Sequence, residues 1–334
     1  MRYLKELCLL GGTSGDESAV REYIISHLGA NPYTVDALGN IIVEKKGAAA
    51  PKQKIMLAAH MDEVGMIITH IDDDGFLSFA PVGGIDAKAL LGKRVRVNGH
   101  LGVIGTAPVH LTEDESVMPK PEQMYIDIGA ADKAEAEAYV SLGDRAVFES
   151  DYVPFGDGFL KSKAIDDRFG CALLLELLEK ELPYDVTVCF CVMEEIGLKG
   201  SGAAANRVKP AIAVVIESTT ANDVSGVSGA DRVCVLGEGA VVSFMDRATV
   251  YDKRLYDIAV QTAKENGIAV QTKTKIAGGN DAGAIQSAAD GVRVLALSVP
   301  TRNIHSASCV ANTKDMQAVA DLLEALLARL GETE

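Results

Sequence analysis

Lys54-Ile55-Met56-Leu57-Ala58-Ala59-His60-Met61-Asp62-Glu63-Val64-Gly65 is the stretch on which the reading of the fold turns. Residues 54–59 form an apolar strand, and that strand delivers His60. Residues two apart in an extended chain point to one side, so Asp62 lies beside His60. His60 can then bind a metal through one ring nitrogen while Asp62 accepts a hydrogen bond from the other. Such a contact fixes the imidazole tautomer and strengthens the ligand. A His-x-Asp pair alone is common. Three further acidic clusters and a late histidine, in similar settings, give this one weight.

The 334 residues allow one large domain or two moderate ones, and a hydrophobic content of 48% supports a sizeable core. A net charge of −15 argues against nucleic acid or an anionic membrane as partner, because both take basic patches. Met1-Arg2-Tyr3-Leu4-Lys5-Glu6-Leu7 reads as an amphipathic helix, not a signal peptide, and no later run is long enough to span a bilayer. A soluble, cytoplasmic chain is expected. Cys8, Cys171, Cys189, Cys191, Cys234 and Cys309 lie mostly in apolar segments and read as buried, reduced thiols. Cys189 and Cys191 can share one strand face, as core and not as ligands.

Helices are expected over 1–11 and 17–28, the second opened by Asp16-Glu17-Ser18, with strands over 33–35 and 40–44. The pattern changes after Gly65. One hairpin pairs 66–71 with 76–81 around Asp72-Asp73-Asp74-Gly75. Another pairs 94–98 with 103–106 around Gly99-His100-Leu101-Gly102. The long helical pattern in this part is 132–142. Alternation then resumes: helix 166–179, strand 185–193, helix 198–206, strand 210–216, helix 252–266, strand 269–274, helix 281–288, strand 292–299 and a closing helix 311–330. This is an α/β pattern, a sheet with helices on both faces and a β-rich insertion between two sequence-distant halves.

Four sites echo His60: Asp166-Asp167 before a helix, Glu194-Glu195 and Glu217 at strand ends, and His305 in the loop after the last core strand. In open α/β sheets, ligands gather beyond the carboxyl ends of the strands. His60, Asp166, Glu195, Glu217 and His305 suit a pair of divalent ions, since one carboxylate can bridge. Asp166, stiffly held at a helix start, is the bridging candidate; a plain N-cap is its metal-free reading. Adjacent Glu194 and Glu195 diverge, so Glu195 is assigned as ligand and Glu194 as the base facing water. A solvated acidic pair is the bland alternative. His27, His100 and His110 have no acid placed like Asp62; His70 has Asp72 at that spacing but lies in the β-rich insertion, and all four read as surface or packing residues. A serine nucleophile is disfavoured: there is no Gly-x-Ser-x-Gly elbow, and Ser162, Ser201 and Ser306 have no matching base.

AHMDEVG at 59–65, AIDDR at 164–168, EEIGLKGS at 194–201, GGNDAGAI at 278–285 and the Arg302-x-x-His305 pair resemble the dinuclear metallo-aminopeptidases of the tetrahedral, glutamyl-aminopeptidase type, some of whose members carry the name endoglucanase. The resemblance implies that His60 and Glu217 hold the opposite ion from Glu195 and His305, with Asp166 bridging. Asp62 would orient His60, and Glu194 would be the base. It further implies two zinc or cobalt ions per subunit and a hollow, tetrahedral dodecamer. The implied architecture is a catalytic domain with a central mixed sheet flanked by helices (1–68 and 158–334), carrying an inserted β-barrel-like assembly domain (69–157). Three positions depart from the common pattern: Glu217 where Asp is frequent, Asn280 where Thr is frequent, and Asn303 where an aromatic residue often follows the arginine.

The expected reaction is release of N-terminal residues from peptides by metal-activated water. The alternatives are a dinuclear deacylase of N-acyl amino acids, or a metal-binding assembly subunit without turnover. A glycosidase would need two carboxylates across a sugar site and would leave the histidines unexplained. Asn280, Asp281 and Arg302 are candidate substrate-binding residues. Residues 226–239 and 242–247 are candidate pocket segments, in which Arg232 or Arg247 would favour acidic side chains or would simply be surface charges.

Overall fold

The computed structural model describes residues 1–108 and 117–333, which leaves His110 outside the described residues. Helices α1 (Leu4–Leu9) and α2 (Ser18–Ser26) lead to strands β1 (Tyr33–Val35), β2 (Ile41–Lys45) and β3 (Ile55–His60). Six strands then close a barrel: β4 (Gly65–Ile71), β5 (Leu77–Val82), β6 (Arg94–Val97), β7 (His100–Thr106), β8 (Met124–Asp127) and, after α3 (Lys133–Glu137), β9 (Arg145–Phe148). The barrel order is β4-β5-β8-β7-β6-β9, with antiparallel neighbours throughout. The boundary expected after residue 68 falls within β4.

A small antiparallel sheet follows from β10 (Val153–Phe155) and β11 (Phe159–Ser162). Next come α4 (Ile165–Leu178), β12 (Val186–Cys191), α5 (Lys199–Val208), β13 (Ile212–Thr220), β14 (Ala240–Val242), α6 (Lys253–Glu265), β15 (Val270–Thr272), α7 (Ala282–Gln286), β16 (Arg293–Thr301), β17 (Cys309–Asn312) and α8 (Thr313–Leu330). The main sheet has the order β1-β2-β12-β3-β13-β16-β14-β15. Its centre, β12-β3-β13-β16, is parallel, while β2 and β14 join it antiparallel.

Burial of both sheet faces explains the continuous apolar runs. Ile55, Leu57 and Ala59 pack with Phe169, Leu173 and Leu323 on one side. Met56 and Ala58 face the other side, with Ala204, Ala205 and Ile285. All six cysteines are free and buried; Cys189 and Cys191 lie together on the second face.

Several elements differ from the sequence reading. The β6–β7 turn is the Asn98-Gly99 pair, since Val97 pairs with His100. Both turn residues have positive φ, 50° and 84°, as a two-residue hairpin turn requires. The helix expected over 132–142 is confined to Lys133–Glu137, and farther along Asp144 accepts from the Ser141 N–H at 2.7 Å. The closing helix does not start at 311: Ala311 pairs with Leu160, and Asn312 caps α8 by accepting from the Lys314 N–H at 2.8 Å.

Candidate metal centre and substrate cavity

Parallel strands carry the site residues to one end of the sheet. His60 is the last residue of β3, in register with Cys191 of β12. Glu217 lies within β13, and Glu194 and Glu195 follow β12 by three and four residues. His305 lies in the loop between β16 and β17.

The His60 ring is fixed from behind. Nδ1 lies 3.1 Å from the Asp62 main-chain carbonyl and 3.4 Å from Asp62 Oδ1. A carbonyl only accepts, so Nδ1 carries the proton and Nε2 faces the site. Nε2 lies 3.4 Å from Asp166 Oδ1 and 3.4 Å from Glu217 Oε1. On the other side His305 Nε2 lies 3.4 Å from Asp166 Oδ2 and 3.2 Å from Glu195 Oε2. Its Nδ1 lies 2.8 Å from the carbonyl of Gly84, in the segment that follows barrel strand β5. Each oxygen of Asp166 thus faces a different histidine.

Asp62 does more than sit beside His60. It is fully buried, and its carboxylate accepts from Ser14 Oγ at 2.6 Å and from the backbone N–H groups of Glu194 and Glu195 at 3.0 and 3.1 Å. Burial would raise its carboxyl, but these donors and His60 hold it below the usual carboxylate value. The capping role weighed for Asp166 belongs to its neighbour: Asp167 Oδ1 accepts from Gly170 N at 2.9 Å, and Oδ2 from His60 N at 3.3 Å. Asp166 is left to face the histidines. The Asp166–Asp167 peptide bond is cis.

Non-glycine residues with positive φ gather here: Ala164 at 52°, Met193 at 55°, Leu198 at 58°, Asn303 at 54° and His305 at 60°. Each such residue costs on the order of 1–3 kcal/mol and persists only where its surroundings over-determine it. Part of those surroundings escaped the sequence reading. Glu63 receives Lys163 at 2.6 Å and Arg168 at 3.3 Å. Arg168 also donates to the Met61 carbonyl at 2.8 Å and to the carbonyl of Leu7. This buried network ties α1, the loop after β3 and α4 together. Glu63 and Arg168 both stand inside motifs quoted above, and that was the only sequence signal for them.

The donor set fits divalent metal. One ligand atom each from His60, Asp166 and Glu195 lies within 4.8 Å of the others, as does one each from His60, Glu194 and Glu217. Atoms about 2.0–2.2 Å from a tetrahedral ion lie roughly 3.3–3.6 Å apart, close to the histidine–carboxylate spacings of 3.2–3.4 Å. Asp166 Oδ1 and Glu217 Oε2 are buried without a conventional hydrogen bond. Burial and mutual repulsion push Glu195 up to about 8 and Glu217 well above the carboxylate range, against the pull of the histidines. For His305 burial opposes the charge, but Asp166 and Glu195 outweigh it and raise the ring to about 9. The cluster is short of positive charge.

A family model described as M42 glutamyl aminopeptidase matches residues 39–322. The chain belongs to the M42 family. A glutamyl aminopeptidase of Lactococcus lactis subsp. cremoris is 32% identical over 345 residues, covering 98% of this chain and 95% of the relative. An aminopeptidase structure from Desulfurococcus kamchatkensis matches with a TM-score of 0.93 at 33% identity, over 98% of this chain and 94% of that one. The Pyrococcus horikoshii TET1 peptidase, described as able to assemble into a tetrahedron or a large octahedral shell, matches with a TM-score of 0.87 at 36% identity, over 98% of both chains. Membership makes this M42 chain a hydrolase, a peptidase of aminopeptidase type.

Beside the carboxylates, the M42 chain has a cavity of about 110 Å³ whose walls include Glu217, Ser243, Asp246, Lys273, Asn280 and His305. Asn280 is committed on both sides: Oδ1 accepts from Ala282 N and Nδ2 donates to Tyr251 Oη, both at 2.9 Å. Asp281 is buried behind the site, and burial raises its carboxyl to about 6. Arg302 makes two 2.6 Å contacts to Asp223, bracing the loop that leads to His305. Arg232 and Arg247 are exposed and do not line this cavity. Lys273 does.

Proposed function

We propose that the chain is a dinuclear metal-dependent aminopeptidase, releasing N-terminal residues from peptides. The observation that carries this reading is the placement of the two Asp166 oxygens against two different histidines. In it, His60 and Glu217 would hold one ion and His305 and Glu195 the other, with Asp166 available to both. Zinc or cobalt suits this nitrogen and oxygen set. Bound there, the pair of ions supplies Lewis-acid polarisation and lowers the pKa of water.

The protein's own residues do the rest. Asp62 holds His60 from behind and grips the backbone of Glu194 and Glu195. Glu194 takes a proton from the attacking water and delivers it to the leaving amine. Burial raises the Glu194 carboxyl well above the usual value, with Asp281, Glu195 and Asp166 adding to it and His60 opposing it. Arg302 is assigned to bracing the His305 loop, Asn280 to the wall of the substrate site, and Asp281 to a buried place behind it.

Residues 69–157 are read as an assembly unit on the catalytic domain formed by 1–68 and 158–334, in a cytoplasmic, tetrahedral dodecamer. Among the described residues no helix is long and apolar enough to cross a membrane.

The test is Glu194→Gln in metal-loaded protein. Metal content should hold while turnover of free-amine aminoacyl substrates falls by ~10²–10⁴. Full activity would remove Glu194 from its role. Faster cleavage of N-blocked substrates than of free amines would favour the deacylase. The mass of the loaded protein in solution should correspond to twelve chains of 35.2 kDa; a monomer would end the assembly proposal.

A further inference from the structure

Strand β12 ends at Cys191, and the next four residues carry the chain through the acidic pair. The amides of all four donate to side chains. Val192 N–H donates to Asn40 Oδ1 at 3.0 Å, Met193 N–H to Glu17 Oε1 at 3.1 Å, and the Glu194 and Glu195 N–H groups to Asp62 at 3.0 and 3.1 Å. An amide shielded from water needs an acceptor, so the side chains that accept decide the path of this backbone. Met193 is the exacting position. Its φ of 55° is sparsely populated for a residue with a side chain and persists only where the surroundings hold it. It is also the residue directly before Glu194.

Glu17 stands at the start of α2, where a glutamate ordinarily reaches water, yet it is 3% exposed. Its side chain leaves the amides of α2 uncapped and takes the Gly15 N–H at 2.8 Å together with the Met193 N–H. The turn that carries it is pinned to the loop after His60. Glu63 N–H donates to the Gly12 carbonyl at 2.9 Å, and Ser14 N–H to the Glu63 carbonyl at 3.3 Å. Ser14 Oγ donates to Asp62 at 2.6 Å. One short segment, 12–17, thus carries Glu17 and braces Asp62, the two acceptors that hold residues 193–195.

We propose that Glu17 is a positioning residue for the peptidase reaction: by accepting the Met193 amide it sets the direction in which Glu194 leaves β12. This rests on the reading of Glu194 as the base. Glu17 acts through the backbone and is not itself a catalytic residue.

The experiment takes zinc-loaded natural protein, Glu17→Gln and Glu17→Ala, and measures hydrogen–deuterium exchange by peptide alongside kcat and KM on an aminoacyl p-nitroanilide. Gln keeps an oxygen that accepts the Met193 amide, and Ala removes it. In Glu17→Ala a lost hydrogen bond of ordinary strength predicts about threefold to tenfold faster exchange over 192–196, with other peptides unchanged. A displaced base predicts a kcat lower by ~10–100-fold with KM held, since Glu194 acts in the transition state. Glu17→Gln should keep most of both properties. Natural exchange over 192–196 in Glu17→Ala, or natural kcat, overturns the proposal. So does faster exchange over the whole chain, which marks a merely structural role, or a Glu17→Gln protein as damaged as Glu17→Ala, which marks the charge and not the accepted bond. Should Glu17→Ala fail to fold, Glu17→Asp carries the same test: it keeps the charge, draws the carboxylate back by one methylene and should show both losses, and natural values in it overturn the proposal. Full activity of Glu194→Gln is a different failure, that of the base reading; the exchange result is independent of it, but the proposal falls with it.

Discussion

At Asp62 one carboxylate serves two ends of the site. It sits behind His60 and also takes the backbone N–H groups that aim Glu194 and Glu195. Asp62→Asn is nearly isosteric, yet it presents an amide NH₂ to donors that need an acceptor. It should cost about 1–3 kcal/mol of stability and lower activity by about 10–100-fold. Chemical denaturation and steady-state kinetics on the same preparation check this; unchanged values in both would remove Asp62 from the support of the site. That His60, Asp166, Glu195, Glu217 and His305 lie together was expected from acids and histidines recurring at strand ends, a helix start and a loop, although each taken singly has a bland reading. The division of labour between Asp166 and Asp167 was not legible, because either can cap a helix and only the backbone path selects Asp167. Lys273 was missed for a related reason. Lys273-Thr274-Lys275 after a short strand looks like solvent-facing loop, and only the packing of the 273–277 turn buries the first lysine.

Among the elements, the four central strands were readable because both faces of the sheet are covered and their apolar runs are unbroken. The edges were less so. β8, β9, β10, β11 and β14 are three or four residues each, too short to show a period. The Asn98-Gly99 signal was overlooked in favour of the two glycines around His100. The segment after β5 carries a link that no pattern announces: Gly84 holds the His305 ring, and Gly83, with φ 86°, lies against the catalytic domain. A Cβ on Gly83 would come within 2.8 Å of Val64 and 3.3 Å of the Glu195 Cβ. Gly83→Val should therefore disturb the Glu195–His305 half of the site before the His60–Glu217 half. Elemental analysis should find metal content falling from two ions per chain towards one, and full loading would show that this barrel segment does not shape the site.

Over the whole molecule, the α/β architecture followed from the alternation of helix and strand, and the barrel was implied by resemblance more than by the residues that form it. Convergence of the site residues is a property of topology: β12, β3, β13 and β16 run parallel and put their carboxyl ends side by side. The central claim is that this edge cages two cations around Asp166. Anomalous diffraction from a zinc-loaded crystal tests it most directly. The account predicts two peaks flanking Asp166, one beside His60 and Glu217, the other beside His305 and Glu195. A single peak that engages only one histidine, or peaks away from these five side chains, would contradict it.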